Sequence, residues 1–121
     1  MRNKILLLIV TVVTIGMTAC SKQMDDVLPG TWNISEWKYT DGTSTEILSD
    51  YGKMTFNENG TGVVVITYSG NSGTNDFAWT SSGKESVTIN GDKYDVITNK
   101  PKKVVLQQSF LEESITITLE K

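Results

Sequence analysis

Few side chains in this sequence can do chemistry, and the most informative is Cys20, its only cysteine. A single thiol makes no internal disulfide. In an exported chain it is a free thiol, an intermolecular bridge or a modification site. Cys20 ends a long uncharged run, Ile5 to Ala19, and that position selects modification. There is no histidine, which removes histidine-assisted serine or cysteine nucleophiles and the commonest metal ligand. With Cys20 modified, no thiolate is left for zinc. Asp25-Asp26 and Glu112-Glu113 are adjacent carboxylates of the kind used in acid–base work. The first pair lies in a polar segment and the second at a turn, so both read as solvated charges. Gly60-Thr61-Gly62 falls in a hairpin and opens no helix, so it cradles no phosphate. Asp41-Gly42 lacks the acidic spacing of a calcium loop. No metal, no cofactor and no enzymatic activity are expected.

Ring surface is what remains. All ten aromatic side chains follow Cys20, and most should fill a core. Trp37, Tyr68, Trp79 and Tyr94 lie near strand ends or off the main apolar phase. They are the candidate contacts for a small apolar ligand.

The elements that would position these residues begin with an export signal. Met1-Arg2-Asn3-Lys4 is basic, Ile5 to Ala19 is apolar, small residues precede Cys20, and the chain turns polar at Ser21. That succession describes a secretory signal. The apolar run is shorter than the ~20 residues of a transmembrane helix, and no basic cluster follows it to stop transfer. Residues 1–19 are expected to be removed, 20–28 to form the modified N-terminus and a polar tether, and 29–121 to fold. Loss of Arg2 and Lys4 leaves nine lysines against 14 acidic residues. Such a chain suits neither nucleic acid nor electrostatic docking on anionic lipid.

Beyond Pro29-Gly30 the pattern is that of short strands between turn signals. Alternation predicts strands at Gly30 to Tyr39, Tyr51 to Asn57, Thr61 to Tyr68, Asp76 to Thr80, Glu85 to Ile89, Lys93 to Thr98, Lys103 to Phe110 and Ser114 to Glu120. Apolar phase flips between Ile34 and Trp37, which predicts a bulge near Ser35-Glu36. Thr43 to Asp50 reads as the longest connection, a loop or short helical turn. Asn59-Gly60 and Asn90-Gly91 are strong hairpin turns. Every link is short, so an up-and-down meander is expected, and closing it removes two sticky edges. The fold class is therefore all-β, an eight-stranded antiparallel up-and-down barrel.

Two resemblances add to this. Met17-Thr18-Ala19-Cys20 resembles the lipobox of bacterial lipoproteins. It implies diacylglycerol on the Cys20 sulfur, cleavage before it and acylation of the new amino group. Ser21, which is not aspartate, implies the outer membrane, and Asp25-Asp26 resembles an acidic surface-sorting pair or else is ordinary solvated linker. Gly30-Thr31-Trp32 resembles the Gly-x-Trp signature of lipocalins. With the Phe56…Asn59-Gly60-Thr61-Gly62 hairpin and the final alternating strand, it is similar to the short lipocalin-like lipoproteins. That likeness implies that Trp32 plugs one barrel end beside a basic side chain, for which Lys121 is the only late candidate. The chain stops at the eighth strand, without room for a C-terminal helix.

The expected function is a lipid-anchored envelope binding module for a small apolar ligand. The alternative is an accessory or inhibitory lipoprotein with a solid barrel core, acting through its outer surface.

Overall fold

A computed structural model of the chain describes residues 22–70 and 72–121. The expected export signal and Cys20, the expected lipid attachment site, lie outside the described residues. After a helical turn, α1 (Met24–Val27), the chain runs through β1 (Gly30–Thr40), β2 (Thr45–Phe56), β3 (Thr61–Ile66), β4 (Gly73–Ser82), β5 (Ser86–Ile89), β6 (Asp92–Lys100), β7 (Lys103–Phe110) and β8 (Glu113–Glu120). Each strand pairs with the next, and β8 returns to β1, giving a closed barrel of eight antiparallel strands in sequence order. The fold read from alternation and turn spacing is the fold found.

Local chemistry explains the corners. Asn90 and Gly91 both take positive φ, 51° and 88°, the turn geometry that suits right-twisted strands. The β2–β3 link is longer than a two-residue turn. The amide of Gly60 donates to the carbonyl of Asn57 at 3.1 Å, and Gly60 itself has φ 87°. The expected bulge in β1 is present, because register shifts between Ile34 and Glu36 against both neighbours. It lets Trp32 and Ile34 face inward below, and Trp37 and Tyr39 above, although their spacing breaks strict alternation.

Two segments differ from the sequence reading. The region before Pro29 is no tether along its whole length. Met24 and Leu28 are fully buried and Val27 nearly so, and the Met24 amide donates to Gly83 at 2.9 Å. Four residues are too few to show helical periodicity, and Asp25 and Asp26 on the outer side of the turn make the stretch look solvated. The second difference is residues 45–50, which are strand and not loop. Glu46 pairs with Tyr39 and Leu48 with Trp37. Thr45, Glu46 and Ile47 are exposed, so backbone pairing holds this stretch and no apolar face marks it.

The core is divided along the barrel axis. The end entered by the chain is solid: α1 caps it, and Trp32, Phe56, Val87, Val104, Leu106 and Leu119 are at most 1% exposed. Gly62 permits this density, since a Cβ there would lie 2.2 Å from the Phe77 ring. Gly30 has φ 127°, and a Cβ there would lie 3.0 Å from Lys121 Nζ. That leaves Lys121 free to stand 4.7 Å above the Trp32 ring, as the resemblance implied. The Trp32 indole N–H donates to the Leu28 carbonyl at 2.8 Å, so the plug and the barrel seal one another.

Candidate functional site

The opposite end of the barrel is hollow. A cavity of about 190 Å³ lies between Ile34, Met54, Phe77 and Ile117 below and Trp37, Tyr51 and Tyr94 above, with Asn75, Asp76 and Asn90 at its opening. Its deeper lining is buried and apolar, while the three residues at the opening are exposed. A wider depression on the outside, beside Asp25, Glu58 and Ser81, is more open to solvent and more polar.

Strand lengths explain the opening. β5 pairs with β4 only from Trp79 to Ser82, and Asn90 clamps the end of that ladder. Its amide donates to the Ala78 carbonyl, and its side-chain oxygen accepts from the Ala78 amide, each at 2.9 Å. Above Ala78, β4 has no β5 partner, so the barrel wall is low and the cavity opens there.

An aromatic wall faces this gap. Trp37 stacks on Tyr51 with ring centres 5.9 Å apart and planes 19° from parallel. Trp37 also stacks on Tyr39 at 6.4 Å, and Tyr51 meets Tyr68 at 5.9 Å. The Tyr39 hydroxyl donates to Glu113 at 2.5 Å. That bond raises the Tyr39 pKa above its ordinary value, helped by desolvation and the neighbouring carboxylates. Burial raises the Tyr94 phenol too, with a smaller contribution from Asp92. Both rings stay neutral and present O–H groups across the physiological range.

Of the four aromatic residues singled out by sequence, Trp37 and Tyr94 line the cavity. Tyr68 is outside its lining but continues the aromatic wall to the surface, 37% exposed. Trp79 is elsewhere: it is buried in the solid half, edge-on to Phe56 at 5.4 Å. Its indole N–H is shared by the carbonyls of Asn57 and Thr61 at 3.0 and 3.2 Å. Trp79 is thus a core residue, placed below the cavity by the phase that also buries Phe77. Sequence reasoning missed Tyr51 and the polar opening. The bulge it found in β1 was the available signal, because a shift in β1 must be answered in β2. Asp50 answers it with φ 51°.

One mouth loop has its own electrostatics. Asp41 accepts from the amides of Ser44 and Thr43 at 2.8 and 3.0 Å and from both hydroxyls. These bonds lower its carboxyl from 3.8 to about 2. A depressed folded value means that the loop's stabilisation is complete above the unfolded pKa and fades as pH falls toward 2. A carbon-detected NMR titration should place the Asp41 midpoint near 2, with the Thr43 and Ser44 amide signals moving together. A midpoint near 4 would show the loop unformed.

Among the described residues there is no group of three or more potential metal ligands. No lysine or arginine lines the cavity. A search of curated proteins gives no match to the chain. A lipocalin-like domain matches residues 28–106, from Leu28 through the first half of β7. The match spans more than half of the chain and agrees with the closed eight-stranded barrel, the Trp32 plug and the hollow end, so the chain belongs to the lipocalin-like domain family.

Proposed function

We propose that this protein is a lipid-anchored binding module whose hollow barrel end holds a small, mostly apolar ligand. The carrying observation is the apolar cavity, open at the barrel mouth, with its Trp37–Tyr51 wall. Lipocalin-like domains are typically non-enzymatic binding proteins, which supports the same reading. Size narrows the ligand. Ligand pockets commonly measure ~300–1,000 Å³, while an apolar cavity of ~150 Å³ accepts benzene. At about 190 Å³, this one suits a single ring with a short side chain and is too small for a sterol or a long acyl chain.

Tryptophan fluorescence tests this. Trp32 and Trp79 are in the solid half, so Trp37 is the reporter. A panel of single-ring compounds, sterols and long-chain lipids should give a saturable change with the small members only, and Trp37→Phe should abolish it. No saturable change with any member would remove the ligand reading.

The anchor reading comes from the signal and Cys20, and the fold gives it a direction. Asn99 donates to the Lys22 carbonyl at 2.7 Å, at the solid end. Lys22 is two residues from Cys20, a reach of at most ~7 Å. Acyl chains on Cys20 would hold the solid end against an outer-membrane leaflet and leave the mouth facing away. Two or more buried acyl chains anchor stably where one does not. Cys20→Ser should leave the chain uncleaved or released from membranes, with its barrel folded. Unchanged fractionation and mobility would contradict the anchor.

The alternative, an accessory or inhibitory protein acting through its surface, has one feature in its favour. The β7–β8 turn exposes Leu111 fully, beside a half-exposed Phe110. A reproducible protein crosslink from that turn in cells, together with an unresponsive cavity, would select it.

A further inference from the structure

We infer that the cavity selects a single-ring ligand carrying a hydrogen-bond acceptor, such as an aryl ketone, over the hydrocarbon of the same shape, and that the Tyr94 hydroxyl is the donor that meets it. This rests on the reading that the cavity binds a ligand, and it adds the polar group that the ligand must bring.

Trp32 and Trp79, in the solid half, both donate their indole N–H to backbone carbonyls, and Tyr39 donates its hydroxyl to Glu113. The three polar rings that line the cavity, Trp37, Tyr51 and Tyr94, differ. Among the described residues, the Trp37 N–H and the Tyr51 and Tyr94 hydroxyls have no hydrogen-bond partner. No side-chain nitrogen or oxygen of these residues is buried without one, so all three groups reach space that water can enter. Stacking occupies the faces of Trp37 and Tyr51. Edges and polar atoms are what these two rings offer an occupant.

The rest of the lining supplies little competition. Its deeper wall is apolar. At the opening Asn90 is committed to Ala78. Asp76 alternates with inward-facing Phe77 and so lies on the outer face of β4, and Asn75 is exposed at the rim. In a ring of eight strands taken in order, β6 stands across from β2. Tyr94 is thus opposite Tyr51, with Trp37 beside Tyr51 on β1. Burial raises the Tyr94 phenol above its ordinary value, so its hydroxyl is partly withdrawn from water and stays protonated as a donor. A hydrocarbon that displaces water here leaves such donors unpaired, which is unfavourable. An acceptor on the ligand replaces the lost water. An indole N–H donates and cannot accept, so the acceptor has to come from the ligand.

Ethylbenzene and acetophenone share one skeleton and differ by a carbonyl oxygen. Calorimetric titration of the protein with each tests the inference. A purely apolar pocket would favour the hydrocarbon by on the order of tenfold, because the ketone sheds its water without replacement. Here acetophenone should bind at least as tightly as ethylbenzene. Tyr94→Phe keeps the ring and removes the hydroxyl. It should weaken acetophenone about fivefold and leave ethylbenzene within about twofold. The ratio measured on the native protein carries the test by itself should the variant not fold. Ethylbenzene binding on the order of tenfold more tightly than acetophenone would overturn the inference and leave the cavity reading standing. A folded Tyr94→Phe protein that loses affinity for both probes alike, or for neither, would do the same. No binding by either probe would overturn the cavity reading and this inference with it.

Discussion

Trp32→Ala is expected to destabilise the barrel by about 3–5 kcal/mol, the usual cost of emptying a buried tryptophan site. Trp32 is fully buried, and its loss also strands the Leu28 carbonyl that accepts its indole N–H. Lys121 would lose the ring beneath it. Domains of this size hold only ~5–15 kcal/mol in total. At ~4–8 °C per kcal/mol, the midpoint of thermal unfolding should fall by roughly 15–30 °C. Trp79→Ala should cost a comparable amount, whereas Trp37→Ala, at a half-buried cavity wall, should cost clearly less. Equal losses at Trp37 and Trp32 would mean that the two ends of the barrel are packed alike.

The double substitution Met24→Ala, Leu28→Ala is expected to cost a similar amount, about 3–6 kcal/mol. Each residue is 0% exposed, and each truncation alone falls in the range of ~2–5 kcal/mol. The two neighbours share one site, so their effects should be less than additive. Gln23→Ala, exposed just before the turn, should change stability by less than ~0.5 kcal/mol. Urea unfolding distinguishes the cases, with the midpoint moving at constant slope. A double variant as stable as the parent would return residues 22–28 to the status of a solvated tether, and a chain beginning at Pro29 would then fold as well.

These substitutions mark where sequence reading succeeds and where it stops. Ile115, Ile117 and Leu119 alternate with threonines, and Phe77 and Trp79 share a phase, so a half-buried strand was legible at both places. The bulge at Ile34/Glu36 was legible because Trp32 and Trp37 cannot share a face without it. Met24 to Leu28 was not, because a single helical turn has no period to detect and its apolar residues are mixed with aspartates. Residues 45–50 were not, because a strand held by one neighbour at a rim presents no buried face. For the candidate site, Trp37 and Tyr94 were reached through their phase. Tyr51 and the opening at Asn75, Asp76 and Asn90 depend on how far β5 climbs the wall, which no local pattern encodes. Phe110 shares the parity of Val104 and Leu106 but stands 45% exposed at the mouth. Alternation gives the face of a strand and not the height at which the core ends.

The barrel is solid at the plugged end and hollow at the other, and we propose the hollow end as the binding site. Methyl and indole NMR of the protein titrated with 2-phenylethanol, a neutral probe, tests it most directly. Saturable shifts are expected at Ile34, Met54, Val64, Ile117 and the Trp37 indole, with Val87, Val104, Leu106 and Leu119 unmoved. Shifts spread through the plugged end, or no saturable shift at Trp37 and Ile117, would contradict it.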